Sequence, residues 1–307
     1  MTSVFIDGKS GTTGLRLAER LAGRKDIEIL TVAEEKRRDP DARAEMLNAA
    51  DIAFLCLPDD AAREAASLVT NDRTVVIDTS TAHRVNPEWC YGMAELPGQR
   101  EKIRNAKRIA NPGCHASGFI ALAAPLAAAG VLHPEARLSC FSLTGFSGGG
   151  KKMIAEYEDS GRPALYEAPR QYGLGQTHKH LPEMAVQCGL VHAPVFCPVV
   201  APYYAGMEVT VPLTPDETTA TPEQIRAIYR EAYAGGMIRY AEGTDENGFL
   251  SAGAMAGRDS MEVSVFGNEE RILLIARFDN LGKGASGAAI QNMNIALGLD
   301  ESEGLVP

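Results

Sequence analysis

A chain of 307 residues is long enough for two domains, or one large one, with a sizeable core. Its 45% hydrophobic and 23% charged residues are ordinary for a globular protein. The net charge is -10, the pI about 5.2, and the one basic run is Lys36-Arg37-Arg38, which excludes nucleic acid as a partner and leaves acidic small molecules to a local positive pocket.

The chain opens on a short apolar strand, Ser3 to Asp7, with no basic segment ahead of it, so no signal peptide is expected. An amphipathic helix follows over Thr13 to Ala22, with Leu17 and Leu21 one turn apart. Ile27–Val32 is a second strand, Arg43–Ala49 a helix, and Asp51–Leu57 a nearly all-apolar strand of the kind covered on both faces. Asp59–Val69 is a helix with acidic residues at its start, and Thr74–Asp78 another buried strand. This alternation predicts an α/β fold, a Rossmann-like doubly wound parallel sheet.

From about Leu138 the rhythm changes. Strands at Arg137–Thr144, Glu208–Leu213, Ser260–Phe266 and Arg271–Phe278 come at longer intervals, which predicts a second α+β domain with a mostly antiparallel sheet. Residues 147–199, rich in Gly, Pro, His and Tyr, read as long loops. The small, apolar stretch Gly284–Leu299 reads as a helix that returns to the first domain. The expected division is 1–113 with 283–307 for the nucleotide domain, and 114–282 for the catalytic and oligomerisation domain. No apolar run reaches the ~18 residues of a membrane span, so no membrane partner is expected.

Between the first strand and first helix lies GKSGTTG, with Gly8, Gly11 and Gly14. The spacing departs from G-x-G-x-x-G, but glycines there let the backbone approach a pyrophosphate at a helix N-terminus, and Ser10, Thr12 and Thr13 add hydroxyls. After the second strand, Lys36, Arg37 and Arg38 suit a 2′-phosphate and favour NADP, while the neighbouring Glu34 and Glu35 leave NAD open.

Cys56, Cys90, Cys114, Cys140, Cys188 and Cys197 are widely spread without a CxxC pair, which argues for free thiols in a reducing, cytoplasmic setting. Cys114 stands apart. It follows Asn111-Pro-Gly and precedes an apolar helical run, so its sulfur falls at a helix N-terminus, where a thiolate is stabilised. The stretch GQTHKHLPEM holds His178 and His180. As zinc ligands they lack an obvious third partner, so no metal is expected. If the stretch is extended, both rings share a face and line one pocket with the cysteine, one as acid/base and one as substrate ligand. His180 is favoured as the acid/base because Pro182 stiffens the chain beyond it, and His115 is the reserve candidate.

GxxGxxG after the first strand, VVIDTSTAHR (75–84), YGMAEL (91–96), NPGC (111–114), SGGGK (147–151) and HKHLPE (178–183) occur in this order. With them the chain resembles the short-form N-acetyl-γ-glutamyl-phosphate reductases over essentially its whole length. That family is related to aspartate-semialdehyde dehydrogenase and shares its two-domain plan. The resemblance implies NADPH-dependent reduction of an acyl phosphate to an aldehyde through a cysteine thioester, in arginine biosynthesis. It implies Cys114 as nucleophile, Ser147 and Gly148 at the cofactor, and Arg84 on the substrate phosphate, with Lys151 or Lys152 as alternative cations and Glu183 in the substrate-binding set. A homo-oligomer, dimer or tetramer, is expected. One departure is His115, where longer members commonly carry an aromatic residue. The rival readings are another acyl-phosphate reductase on the same plan, a Cys-His hydrolase needing no nucleotide, and a non-catalytic nucleotide sensor.

Overall fold

Met1–Ala94, Gly98–Gly113 and Ala285–Leu305 form one unit of the computed structural model, which describes residues 1–307; Glu95–Pro97, Cys114–Gly284 and Val306–Pro307 form the other. The first unit begins β1 (Thr2–Asp7), α1 (Thr12–Ala22), β2 (Ile27–Leu30), α2 (Pro40–Ala49), β3 (Ile52–Leu55), α3 (Asp59–Leu68) and β4 (Val75–Asp78). It continues with β5 (Cys90–Tyr91), α4 (Gln99–Asn105) and β6 (Arg108–Ala110). The sheet order is β2-β1-β3-β4-β6-β5, and every pairing is parallel.

Alternate residues of its strands are buried on opposite faces, which is why these strands read as continuous apolar runs. Val4, Ile6, Ile52, Phe54 and Ile77 pack with Leu17 and Leu21 of α1 and Ile103 of α4. Phe5, Ala53, Leu55 and Val76 pack on the other face with Leu47 of α2 and Ala65 of α3. Helix α2 starts firmly, because Asp39 accepts the Ala42 N–H (2.9 Å) and Pro40 occupies the first turn.

The second unit contains α5 (Cys114–Ala128), β7 (Ser139–Gly145), α6 (Gly150–Glu158), β8 (Arg170–Gln171), α7 (Leu181–Cys188) and β9 (Val195–Ala201). Then come β10 (Met207–Leu213), α8 (Pro222–Ala232), β11 (Ile238–Tyr240), β12 (Met261–Gly267) and β13 (Ile272–Phe278). The seven strands run β11-β12-β13-β10-β7-β9-β8. The sheet is mixed and mostly antiparallel, with β11-β12 and β7-β9 as its parallel pairs. A π-turn, Gly282–Ser286, leads to α9 (Gly287–Ala296), whose Ala289, Ile290 and Met293 join the first core beside α1.

Helix α5 positions the site. It is buried from His115 to Leu126, and at Gly118 it lies close against the sheet: a Cβ there would meet Val209 Cγ2 at 2.5 Å and Phe278 Cε1 at 2.9 Å. Pro125 inside the helix has no N–H for the Ala121 carbonyl four residues back. The Tyr233 hydroxyl supplies that bond at 2.6 Å, and the Tyr229 hydroxyl on α8 donates to Leu122 O at 2.6 Å. Burial raises both phenols well above 10, so they remain donors.

Two expectations need correction. Residues 147–199 are not all loop: they hold α6, β8, α7 and most of β9, and Phe146 stacks on Tyr157 of α6 (4.8 Å) within a segment whose local sequence is dominated by turn formers. The final helix starts at Gly287, later than Gly284, since the π-turn comes first.

Candidate active site

The glycine-rich turn lies at the C-terminal end of β1. Gly8 has φ +84°, and a Cβ there would lie 2.2 Å from Cys56 O, so only glycine fits. A Cβ on Gly14 would lie 2.5 Å from Gly8 O, so α1 can close on the turn only without a side chain. Gly11 differs: a Cβ there would meet the protein only at ordinary contact distance, 3.5 Å. Its bareness serves whatever approaches α1 from outside. Three features fit a dinucleotide pyrophosphate: Gly11 as the N-cap without a side-chain cap, no acidic residue in the first turn, and a buried Thr12 hydroxyl with no partner in the protein.

A cavity of 480 Å³ continues from this turn along the ends of β1 and β2, lined by Gly8, Lys9, Ser10, Thr31, Glu34, Arg37, Arg38 and Arg43 among others. Lys36 does not line it, and Arg37 is paired with Glu34. Arg43 gave no sequence signal. It is buried, and its Nε and Nη2 reach Asp7 Oδ2 at 3.0 and 2.9 Å, which ties α2 to the end of β1. Burial pushes the Asp7 carboxyl up, and Arg43 pulls against it.

Also in the first unit, Arg84 is buried and donates from Nε to Asn111 O and from Nη2 to Thr79 O, both at 2.9 Å. It thereby binds the exit of β4 to the Asn-Pro-Gly turn.

A second cavity, of 250 Å³, lies wholly within the second unit. Its lining is Cys114, His115, Thr144, Gly148, Gly149, Met153, Tyr172, His178, Lys179, His180 and Val200. Cys114 is the first residue of α5, half-buried and in no disulfide, at the positive end of the helix dipole. The structure therefore brings Cys114, His178 and His180 to one pocket. It does so by a route other than an extended strand: His178-Lys179-His180 is the turn that enters α7, with His180 at the N-cap in helical conformation. Pro182 in the first turn of α7 favours helix here. The rings lie 4.7 Å apart at 87°.

The backbone N–H of His180 donates to His178 Nδ1 at 3.2 Å. An acceptor at Nδ1 holds the His178 proton on Nε2, which makes that ring a donor toward its surroundings. His115 is engaged at both nitrogens, Nδ1 with Ser142 Oγ (2.6 Å) and Nε2 with Tyr172 OH (2.7 Å). Burial, then nearby His178, pushes it down to about 3. His115 is thus a neutral strut between α5, β7 and Tyr172 and no reserve proton carrier. The Tyr172 phenol is raised, first by burial and then by Cys114, so it stays protonated beside the thiol. No group of His, Cys, Asp and Glu side chains has a metal-holding arrangement.

The remaining predicted residues are distributed as follows. Gly148 lines the cavity; Ser147 does not, but is buried and accepts from Asn280 Nδ2 at 2.9 Å. Lys151 is exposed on α6 and does not line the cavity; Lys152 is exposed beside Glu156. Glu183 is 1% exposed within α7 and does not line it either. Among the cavity residues missed from sequence are Tyr172, Thr144, Met153 and Lys179. Of these, only Lys179 had a local signal, its position between two histidines.

A parallel nucleotide-type unit with a separate cysteine-histidine unit defines the class. Residues 3–106 match the family model described as semialdehyde dehydrogenase, NAD binding domain, and residues 114–280 match semialdehyde dehydrogenase, dimerisation domain. Aspartate semialdehyde dehydrogenase II from Vibrio cholerae has the same fold, with TM-score 0.71 at 20% identity over 97% of this chain and 98% of that one. The Francisella tularensis aspartate semialdehyde dehydrogenase gives 0.70 at 13% identity, over 96% and 99%. More specific are the proteins named N-acetyl-gamma-glutamyl-phosphate reductase from Brucella ovis and Brucella canis, each 47% identical over 305 residues, covering 96% of this chain and 98% of theirs. The chain belongs to the N-acetyl-gamma-glutamyl-phosphate reductase family. No helix is long and apolar enough to cross a membrane.

Proposed function

We propose that this protein reduces N-acetyl-γ-glutamyl phosphate to N-acetylglutamate semialdehyde and phosphate, with NADPH as reductant, as a step of arginine biosynthesis. The observation that carries the reading is Cys114 at the head of α5, in one pocket with both histidines of the turn into α7.

Gly8, Ser10, Gly11, Thr12, Thr13 and Gly14 would hold the cofactor's pyrophosphate, and Arg37 and Arg38 its 2′-phosphate, which favours NADPH over NADH. When bound, the nicotinamide supplies the hydride. The Cys114 thiolate attacks the acyl carbon; the C–S bond forms as the C–O bond to phosphate breaks, leaving a thioester. The departing phosphate oxygen needs a proton, and His180 delivers it. Hydride delivered to the thioester carbon would leave an oxyanion on a carbon still bound to sulfur. His178 Nε2–H and N–H groups of the first turn of α5 stabilise that oxygen. Collapse breaks the C–S bond, frees the aldehyde and restores the thiolate.

Phe141, Leu273 and Val195 support a homo-oligomer. The strand registers put them on one face of the second sheet, opposite the face beneath α5, and all three are exposed. A second copy of the chain would cover that face. Six cysteines outside any disulfide fit the reducing cytoplasm. The test is the reverse reaction: semialdehyde, phosphate and NADP should give a phosphate-dependent rise in nicotinamide absorbance. No rise with all three present, or an equal rise without phosphate, would overturn the reading.

A further inference from the structure

We infer that the Tyr172 hydroxyl donates a hydrogen bond to the oxygen on the reacting carbon, an inference that rests on the acyl-phosphate reading above. Tyr172 lines the cavity with Cys114. Its backbone N–H bonds Pro198 O at 3.0 Å, so the residue prolongs β8 beside β9. Where its hydroxyl proton points is set by the pair behind it, His115 and Ser142. His115 is buried, and that burial holds the ring neutral, so one ring nitrogen carries a proton and the other accepts. Nδ1 lies 2.6 Å from Ser142 Oγ, and Nε2 lies 2.7 Å from the Tyr172 hydroxyl.

Ser142 is 0% exposed, and His115 Nδ1 is the one hydrogen-bond partner of its Oγ. Were Nδ1 protonated, it would donate to Oγ and leave the serine's own proton buried without an acceptor, an arrangement folded chains avoid. The serine therefore donates to Nδ1, the ring proton sits on Nε2, and Nε2–H donates to the Tyr172 oxygen. The tyrosine's own proton is then turned away from the ring toward the cavity. Burial, then Cys114, raises the phenol, so the proton stays on it. The sulfur is near enough to act on the phenol, yet the hydroxyl's hydrogen-bond partner is His115. In the tetrahedral adduct the reacting oxygen stands two bonds out from that sulfur, within the space the hydroxyl faces. The His178 ring, whose Nε2–H also donates, lies 6.1 Å from the Tyr172 ring and lines the same cavity. Donors fixed in advance favour the state in which this oxygen gains charge. Tyr172 is thus a catalytic residue, and His115 and Ser142 position it.

The experiment has a kinetic arm and a spectroscopic one. In the reverse reaction, Tyr172→Phe should lower kcat roughly 10²- to 10³-fold, the scale of one lost oxyanion donor, with KM for semialdehyde and for phosphate within a few-fold. NADPH binding by fluorescence and iodoacetamide labelling of Cys114 should stay within a few-fold of the wild type, which a collapsed pocket would not allow. The second arm needs no variant and no turnover. Nitrogen-15 NMR of the histidine-labelled wild type should show His115 as the neutral Nε2–H form throughout pH 5.5 to 8. A Nδ1–H ring would make Tyr172 donate to His115 and would overturn the inference. An active wild type whose kcat is unchanged by Tyr172→Phe overturns it equally, as does a loss confined to KM, which would make the hydroxyl a binding contact only. A wild type that does not turn over the semialdehyde is instead a failure of the acyl-phosphate reading, and it shows before any variant is compared.

Discussion

The nucleotide turn and the cysteine pocket draw on the chain in opposite ways. The turn is seven consecutive residues, Gly8 to Gly14: Gly14 is constrained by Gly8 O within the turn, Gly8 by Cys56 O, and Gly11 is left open. The pocket collects side chains from the start of α5, the end of β7, α6, the segment after β8, the turn into α7 and β9. A contiguous site depends mainly on local backbone conformation. A dispersed one depends on how well α5 is held against its sheet. Changes at the turn should therefore act locally, and changes remote from the pocket should still reach it.

The largest expected effect lies at the pocket's one irreplaceable atom. Cys114→Ser should lower kcat roughly 10³-fold or more, with cofactor binding by fluorescence unchanged. Retained turnover would remove the thioester from the mechanism. Next, His180→Asn should cost about 10²–10⁴ in kcat and remove one limb of the pH profile, whereas His178→Asn should raise KM with a smaller kcat loss. The reverse pattern exchanges the two roles.

The turn offers a sharper contrast within itself. Gly8→Ala places a Cβ 2.2 Å from Cys56 O at φ +84° and should lower unfolding free energy by about 2–4 kcal/mol. Gly11→Ala should unfold like the wild type and lose cofactor affinity. Equal destabilisation of both would contradict the assignment of Gly11 to the ligand side.

Tyr233→Phe tests remote support of the pocket. It leaves the Ala121 carbonyl beside Pro125 without its donor, and should cost about 1–2 kcal/mol in urea unfolding and quicken Cys114 alkylation. The smallest effect concerns His115. Its folded value lies near 3, below the 6.5 of the unfolded chain, so its contribution is full above 6.5 and falls away as pH drops toward 3. Between pH 7.5 and 5.5, His115→Gln should remove roughly 1 kcal/mol of pH dependence from the unfolding free energy.

Much of the first unit was legible because burial on both faces makes its strands continuous apolar runs; β1, β3 and β4 could be located to within a few residues. The short β5 and β6 carried too few residues for any period to show. In the second unit, β7, β10, β12 and β13 were recognisable, while α6 and α7 lay hidden in a Gly- and Pro-rich segment. Helix α7 has only eight residues, and its start is set by His180 and Pro182 together. The shared pocket of the two histidines was foreseen through an extended geometry that the chain does not adopt. A helical entry turn and an extended pair can both bring alternate side chains to one cavity, so agreement on the residues did not establish the backbone.

The amino-acid sequence by itself determined the parallel α/β alternation, the glycine turn at the head of α1 and Cys114 at the head of α5. Each follows from near-neighbour constraints: period, backbone sterics and helix termini. Only the tertiary structure decided that His115 is a neutral strut, that Tyr172 and Lys179 face the thiol's pocket, that Arg84 clamps two carbonyls, and that Arg43 joins Asp7. Those facts depend on desolvation and on partners up to 57 positions apart along the chain, as for His115 and Tyr172. Burial and pairing over such distances are properties of the packed chain and have no local pattern in the residues that carry them.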